Sequence, residues 1–429
     1  MNRRLRFSNT VAAAFLLLLS LTALPLAGDL VATTQPEEVG LSAERLTRIN
    51  EMMKRHLAAG DFAGGVTLVA RKGKIAHLEA HGVMDLESKL PMPKNAVFRI
   101  ASMKKPVTGV AIMMMMEEGK LRITDPVSKF IPEFKDMKVA VASPAQGPPP
   151  PAPAAGQAAA APRFYTVPAE RQITIRDLLT HTSGLASGPM GNSDVRKVAR
   201  KANETLADYI PRLALTALEF QPGTRWMYSA QAGMDTLGRI VEITSGQPFD
   251  QFLRQRVFDP LGMKEISFYP TETLEPRMPT VYQAGAKGLQ KNPNPNSMSS
   301  KVYFMGSGGL ITTAEEYAKF GQMLLNGGEL NGKRLLSPRT VEYMSAVHIP
   351  DTLPGRSAGE GFGLSVRVVN HAVAGGSRVS DGSFGWSGVY GTHFWVDPKE
   401  EIVAVMMTQT SVAAMRAEFE NLVMSSIVK

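Results

Sequence analysis

Strand-like segments lie at both ends of this chain, and helical segments fill its middle. Apolar residues recur at helical spacing in residues 41–57, and residues 64–70 and 74–81 then predict two strands joined by a polar turn. Four further strand-like segments near the carboxyl terminus, separated by glycine or Asp-Pro turns, are residues 361–370, 377–380, 389–396 and 402–409. This order predicts one composite unit, an α/β body with a helical part inserted into it.

The inserted part contains a low-complexity tract. Residues 143–162 consist almost entirely of Pro, Ala, Gly and Gln, a composition that cannot bury apolar surface. Periodic structure resumes soon after the tract, so we expect a disordered surface insertion in a loop, without a catalytic role. The α/β part is expected to comprise about residues 36–110 and 305–429, and the helical part about residues 111–304.

The amino terminus has the pattern of an export signal. Residues 1–27 begin with basic residues, continue into an apolar run and end in small residues. Cleavage is expected between Ala27 and Ala32, which leaves the folded domain of residues 28–429. The alternative is an uncleaved anchor helix, although the apolar run is at the short limit for spanning a bilayer. We therefore expect a periplasmic or secreted protein, with membrane contact only through such an anchor.

The composition excludes several classes of function. The formal net charge of +8 is modest for 429 residues, and no dense Lys/Arg block interleaved with aromatics occurs, so we expect no nucleic-acid partner. The absence of cysteine excludes disulfides and thiolate metal sites. No His-Glu-x-x-His motif occurs. His77 and His81 lie four residues apart in a predicted strand, where we expect a solvated or packed pair without a third ligand. The sequence therefore predicts neither a metal nor a cofactor.

Ser102 is the first candidate for catalysis, because Lys105 follows it by three residues at the start of an apolar helical segment. Pro106 is compatible with a helix that begins near Ser102, since the first helical N–H groups have no intrahelical partner. The spacing places Ser102 and Lys105 on one face of the helix, whereas Lys104 points elsewhere. Burial and the helix dipole favour a neutral Lys105, and a neutral amine can take the serine proton. The alternative is an ordinary helix-capping serine.

Two distant segments carry further candidates. Tyr228 lies in a loop that enters a helix, from where a phenol can reach the floor of a cleft and act as a base beside a lysine ammonium. Residues 385–389 precede a strand, and a glycine at a strand edge allows a substrate carbonyl to approach the backbone. The N–H groups of Val389 and Ser102 could then form an oxyanion hole. Taken alone, Tyr228 is also compatible with a core aromatic, and residues 385–389 with a glycine-rich turn.

Residues 173–185 predict a short helix that ends at Ser183-Gly184. His181 lies near this end. A histidine in that position is expected to bind backbone carbonyls of the last turn and to take no part in the chemistry.

Taken together, these segments resemble the serine β-lactamase and penicillin-binding-protein superfamily. The matching stretches follow in order and are residues 98–121, 173–185, 222–242, 260–263, 306–320 and 384–409. The resemblance implies a β-lactamase/transpeptidase-like fold of the α/β plus all-α type, an antiparallel sheet flanked by helices with a helical subdomain. It implies a serine nucleophile at Ser102, a lysine partner at Lys105 and a tyrosine base at Tyr228. The oxyanion hole is expected from the backbone of Ser102 and Val389.

Two departures from the superfamily pattern bear on the substrate. The most similar class of β-lactamases has Tyr-x-Asn where this chain has Tyr228-Ser229-Ala230, and Lys-Thr-Gly where it has Trp386-Ser387-Gly388. The second change removes the cation that would hold a substrate carboxylate. Both changes disfavour penicillin-type substrates, and the Trp-x-Gly motif resembles that of family VIII carboxylesterases, which cleave short-chain esters. We expect Trp386, Ser387 and Gly388 to contact the substrate.

The sequence thus predicts an exported serine hydrolase that cleaves short-chain carboxylic esters through an acyl-enzyme. The expected partner is a small-molecule ester or amide. Two alternatives stay open: a β-lactamase, D-peptidase or acyltransferase of the same fold, and a non-catalytic envelope protein that binds cell-wall peptide. The oligomeric state also stays open.

Overall fold

The computed structural model describes residues 30–32, 35–144, 163–286, 288–350 and 352–429. The predicted export signal and most of the Pro/Ala tract lie outside the described residues. Within the described part, no helix combines the length and the apolar character needed to cross a bilayer.

Seventeen strands occur among the described residues, and eight of them form one large sheet. In chain order the strands are β1 (Val31–Ala32), β2 (Gly64–Arg71), β3 (Lys74–Gly82), β4 (Phe98–Arg99), β5 (Lys138–Ala142), β6 (Phe164–Pro168), β7 (Ile266–Ser267), β8 (Tyr282–Gly285), β9 (Gly288–Lys291), β10 (Ile311–Thr312), β11 (Glu329–Leu330), β12 (Lys333–Arg334), β13 (Glu360–Phe362), β14 (Arg367–Val369), β15 (Phe384–Ser387), β16 (His393–Asp397) and β17 (Ile402–Thr408). The large sheet has the order β1-β3-β2-β17-β16-β15-β14-β13 and is antiparallel except between β1 and β3. Both ends of the chain therefore supply strands to it.

Helices cover both faces of this sheet. The α-helices of the described residues are α1 (Ala43–Ala58), α2 (Lys105–Glu117), α3 (Ile175–Leu179), α4 (Gly188–Lys197), α5 (Leu206–Tyr209), α6 (Ala232–Ser245), α7 (Phe249–Leu253), α8 (Ala314–Leu325), α9 (Pro338–Ser345) and α10 (Ala413–Ser425). Apolar residues of α1 and α10 pack on one face, and those of α2 and α8 pack on the other. The predicted antiparallel sheet flanked by helices, with further helices between its two groups of strands, is confirmed.

The sequence of the central strand β17 is apolar without interruption, because both faces of this strand are covered. Val403 and Val405 belong to the core beneath α2 and α8, whereas Ile402 and Ala404 belong to the core beneath α1 and α10. Successive strand residues point to opposite faces, so a strand covered on both sides needs apolar residues at every position. Strand β15 carries Trp386 and Ser387, ends just before Gly388, and lies two places away in the same sheet.

Three predicted strand segments differ from the structure. Residues 361–370 form two strands, β13 and β14, because the chain turns at Ser365, whose φ is +70°. Residues 377–380 are not a strand, since the Ser380 N–H donates to the Asp397 carboxylate at 3.0 Å in place of a strand partner. The strand predicted over residues 389–396 begins only at His393, after a turn.

Candidate active site

Ser102 is the second residue of a 3-10 turn, Ala101–Lys104, that runs directly into α2. The α-helix therefore begins at Lys105, three residues later than the sequence predicts. Pro106 has no N–H to donate to the Ser102 carbonyl, so the Lys105 N–H closes the turn in its place. Near a helix start the Ser102 N–H has no intrahelical partner, and it can donate to a substrate oxygen.

Three oxygens surround the side-chain nitrogen (Nζ) of Lys105. The Ser102 Oγ lies at 3.0 Å, the Ala230 carbonyl oxygen at 2.8 Å and the Ser307 carbonyl oxygen at 3.0 Å. A neutral amine would donate its two N–H groups to the two carbonyls, which leaves its lone pair facing the Ser102 hydroxyl. The backbone thus orients Lys105 for proton transfer from Ser102.

The surroundings of Lys105 also favour the neutral amine. Only 1% of the residue is exposed. Burial lowers the pKa of Lys105, although the nearby Tyr228 and Asp235 offset part of that decrease. The amine is therefore easier to deprotonate than a lysine in water, as a proton acceptor requires.

Lys104, the neighbouring lysine, points away from Ser102 as predicted. Its Nζ donates to the Met305 carbonyl and lies 3.8 Å from the centre of the Phe268 ring. This second buried lysine therefore binds structural groups on the far side of the turn and offers a natural control for Lys105.

Tyr228 reaches Ser102 from the loop before α6. Its hydroxyl donates to the Ser102 Oγ at 2.8 Å, and its ring centre lies 5.1 Å from the Lys105 Nζ. The structure therefore brings the three predicted catalytic side chains together, although Tyr228 is 126 residues from Ser102 in the sequence.

His181 packs against Tyr228, a contact that the sequence analysis missed. The two ring centres are 4.9 Å apart, and the His181 Nδ1 accepts the Ser229 N–H at 3.4 Å. Its Nε2 is buried without a hydrogen-bond partner among the described residues, so the predicted contact with helix-end carbonyls is wrong. Burial, and then the charge of Lys105, lower the pKa of His181 to about 3. His181 is thus a neutral side chain that packs against the Tyr228 ring.

The turn that follows β15 lies against the backbone next to Ser102. The Thr392 hydroxyl donates to the Ile100 carbonyl at 3.2 Å, and the Gly388 N–H donates to the Thr392 carbonyl at 2.7 Å. The Gly391 N–H closes the turn onto the Gly388 carbonyl at 3.0 Å, so the turn leaves the Val389 N–H without a backbone partner in the described chain. The Val389 side chain is exposed.

We expect Gly388→Ala to damage this contact. A Cβ at Gly388 would lie 2.3 Å from the Ile100 carbonyl oxygen and 2.3 Å from the Thr392 hydroxyl, so the strand and the Ser102 turn must separate. Overpacking of this kind costs about 2 kcal/mol of unfolding free energy. Because the separation would also displace Ser102 relative to the Val389 N–H, we expect kcat to fall by about tenfold or more.

Gly191→Ala is the matched control, because the nearest atom to its added Cβ lies at 3.4 Å, an ordinary contact. Thermal unfolding and ester turnover measured on both variants test the prediction. A Gly388→Ala protein with the wild-type Tm and kcat would show that the contact of Gly388 with Ile100 does not position Ser102.

Trp386 and Ser387 point to opposite faces of β15, as successive strand residues must. The Trp386 ring lies 5.5 Å from that of Tyr228 and forms part of the wall of the site. The Ser387 Oγ lies 2.8 Å from the His393 Nδ1, whose Nε2 lies 2.9 Å from the Glu420 carboxylate. Ser387 therefore joins β15 to α10, and its predicted contact with the substrate stays a prediction.

The Glu420 carboxylate, the last group in the hydrogen-bonded series from Ser387 through His393, predicts that the fold loses stability in acid. Burial would raise the pKa of Glu420, but the hydrogen bond and charge of His393, together with Arg367, lower it to about 2. A lowered carboxylate pKa stabilises the fold above the unfolded-state value of about 4.3, and the stabilisation is lost as pH falls from there towards 2.

Glu420→Gln removes the charge but keeps a similar shape. We expect it to lower the unfolding free energy at pH 7 by about 3–5 kcal/mol and to flatten the loss of stability between pH 4.5 and 2. Denaturant unfolding across that pH range provides the measurement. Parallel pH profiles for the variant and the wild type would contradict the assignment.

The described residues contain no group of three or more His, Cys, Asp or Glu side chains that could hold a metal ion. His77 and His81 both point at the Thr67 hydroxyl, with Nε2 distances of 2.8 and 3.4 Å. Burial lowers the pKa of both histidines, that of His77 to about 3 and that of His81 to about 4.

Comparison with known protein families matches residues 49–429 to the Beta-lactamase family model. The chain belongs to this family. Among its relatives, Protein Rv1367c of Mycobacterium tuberculosis is 33% identical over 368 residues, which cover 82% of this chain and 86% of the relative. Esterase EstB of Burkholderia gladioli is 28% identical over 411 residues, which cover 90% and 95% of the two chains.

The structure of this Beta-lactamase family member also resembles solved structures. One is EstCE1, described as a hydrolase with promiscuous acyltransferase activity, at a TM-score of 0.72 and 25% identity. The match covers 90% of this chain and 98% of EstCE1. The family, the esterase relative and the hydrolase neighbour identify this chain as a serine hydrolase of the β-lactamase fold.

Proposed function

We propose that this protein is an exported carboxylesterase that cleaves short-chain esters through an acyl-enzyme on Ser102. The observation that carries the proposal is the convergence of the Lys105 Nζ and the Tyr228 hydroxyl on one oxygen, the Ser102 Oγ, at 3.0 and 2.8 Å. A serine hydroxyl becomes a nucleophile when an adjacent base takes its proton. Export rests on the signal pattern of residues 1–27 alone.

In acylation, the Ser102 Oγ attacks the ester carbonyl carbon and its proton passes to neutral Lys105. The N–H groups of Ser102 and Val389 stabilise the oxyanion of the tetrahedral intermediate. The bond to the leaving alkoxide then breaks, and the Tyr228 hydroxyl supplies its proton, which Lys105 replaces. The alcohol leaves and the acyl group remains on Ser102.

In deacylation, the same groups transfer protons in the opposite direction. Tyr228 passes its hydroxyl proton to the neutral Lys105 and takes a proton from water as the water oxygen attacks the acyl carbon. Collapse of the second tetrahedral intermediate returns a proton to the Ser102 Oγ and releases the carboxylic acid. An alcohol in place of water would give acyl transfer, the side activity described for EstCE1.

The walls of the site favour esters over β-lactams. Trp386 places an aromatic ring beside Tyr228, where the sequence pattern of β-lactamases has a cation. The aromatic cluster continues through Phe362, whose ring centre lies 5.3 Å from that of Trp386. An apolar wall binds the carbon skeleton of an ester but offers no charge to the carboxylate of a penicillin.

The test is a substrate comparison on purified protein, with p-nitrophenyl butyrate and nitrocefin as the two reporters. We expect kcat/KM for the ester to exceed that for nitrocefin by a wide margin. The opposite order would make the protein a β-lactamase. A folded protein that turns over neither substrate, and whose serines no fluorophosphonate probe labels, would favour a binding protein.

A further inference from the structure

A cavity of about 330 Å³ opens directly beside the catalytic lysine. Ala230 forms part of its wall, and the carbonyl of the same residue accepts the Lys105 N–H at 2.8 Å. Gln231 and Met298 continue the wall, and the floor includes Asp235 and Tyr303. Ala230 therefore links the cavity to the lysine that contacts the Ser102 Oγ.

The cavity has two cations in its lining. The side chain of Arg196, in the last turn of α4, is exposed and makes no hydrogen bond and no ion pair within the described residues. Arg200 lies with its guanidinium carbon 4.4 Å from the centre of the Tyr303 ring and donates to the carbonyls of Lys201 and Ala202 at 3.1 and 3.5 Å. Neither arginine is neutralised by a carboxylate in the part of the chain that the structure describes.

The single carboxylate among the described lining residues does not cancel this charge. Asp235 is 3% exposed, and its two oxygens accept the Tyr303 hydroxyl and the Ser307 N–H, both at 2.9 Å. Burial raises the pKa of Asp235. Asp235 acts as a support, because the Ser307 that it holds offers its carbonyl to Lys105.

The esterase activity proposed above has a consequence for substrate choice. During the reaction the alcohol leaves after the first step, whereas the acyl group stays on Ser102 until water releases it. A cavity close to the catalytic lysine therefore suits the acyl part. Resting on the proposed function, we propose that this cavity binds the acyl chain and favours acyl groups that end in an anion, such as the free carboxylate of a dicarboxylic acid hemiester. Arg196 and Arg200 bind that carboxylate.

The test compares two p-nitrophenyl esters of equal chain length, the hexanoate and the adipate hemiester. The measured quantity is the ratio of their kcat/KM values. We expect the wild type to prefer the hemiester, and the Arg196→Gln/Arg200→Gln double variant to lose about fivefold or more of this preference. The Arg196→Glu/Arg200→Glu double variant should prefer the hexanoate. Because charge attraction at exposed groups is screened, the preference should shrink in 1 M salt.

Arg339→Gln is the matched control, since the Arg339 side chain is 89% exposed and pairs with Glu342 outside the cavity. It should leave the ratio unchanged. The inference is overturned if the ratio is the same in the wild type and both double variants. It is also overturned if only a carboxylate on the alcohol part is preferred, measured with 4-acetoxybenzoate against phenyl acetate.

A binding measurement separates this inference from the proposed function. Adipate should raise the Tm of the wild type and raise that of the Arg196→Gln/Arg200→Gln variant less. If that difference appears while no ester is hydrolysed, the anion site stands and the esterase proposal fails. If esters are hydrolysed and adipate has equal effects on both proteins, the inference fails and the esterase proposal stands.

Discussion

Replacing Ser102 by alanine is expected to lower kcat/KM for p-nitrophenyl butyrate by at least about 10⁴-fold. The variant removes the oxygen on which the Lys105 Nζ and the Tyr228 hydroxyl converge. No other hydroxyl replaces it in that position, so the residual rate should come only from substrate binding and any oxyanion stabilisation. Rates of p-nitrophenol release from equal amounts of the two proteins provide the measurement.

The fold should tolerate this change. The substitution removes only the side-chain hydroxyl of Ser102, and the backbone N–H and carbonyl keep their roles in the alanine variant. We expect the Tm to stay within a few degrees of the wild type, because one small side chain is shortened. A Ser102→Ala protein with wild-type turnover would end the proposal of an acyl-enzyme at this residue.

Replacing Lys105 by methionine is expected to lower kcat by about 10²- to 10⁴-fold, the range for loss of a general base. Methionine fills a similar volume but cannot accept the Ser102 proton. Since burial lowers the pKa of Lys105 and the neutral amine is the active form, the wild-type rate should rise with pH through that pKa. The methionine variant should lack this rise. Kinetic pH profiles of both proteins show the difference.

Two control variants separate the charge of Lys105 from its basicity. Lys105→Arg keeps a cation but cannot be deprotonated, so it should be nearly as inactive as the methionine variant. Lys104→Met removes the neighbouring buried lysine, which lies against Phe268 and Phe249, and should keep most of the activity. Equal losses in Lys104→Met and Lys105→Met would mean that the turn needs its lysines for folding and that the base is elsewhere.

The sequence was informative wherever chemistry depends on short spacing. Ser102 and Lys105 are three residues apart, so any helical turn brings their side chains together. In the structure the Lys105 Nζ lies 3.0 Å from the Ser102 Oγ. The hairpin of β2 and β3 was predictable for the same reason, because the polar turn and the apolar runs are adjacent. Tyr228 was a candidate from its place in a loop before a helix, but only the resemblance to the superfamily connected it with Ser102.

Contacts made by ordinary residues over long distances were not predictable. The carbonyls of Ala230 and Ser307, which orient Lys105, depend on tertiary folding, and a sequence does not distinguish these carbonyls from others. The edge-to-face contact of His181 with Tyr228 was not predicted, because a histidine at a helix end has a simpler local role. Glu420 lies 27 residues from His393, and nothing in the sequence pairs the two.

The most direct test of the account is to identify the acylated residue. The wild type is mixed with p-nitrophenyl butyrate, quenched in acid within milliseconds, and its mass and peptides are measured. The account predicts a butyryl group on Ser102 in the wild type and none in Ser102→Ala. A butyryl group on another residue, or full turnover with Ser102 never acylated, would contradict it.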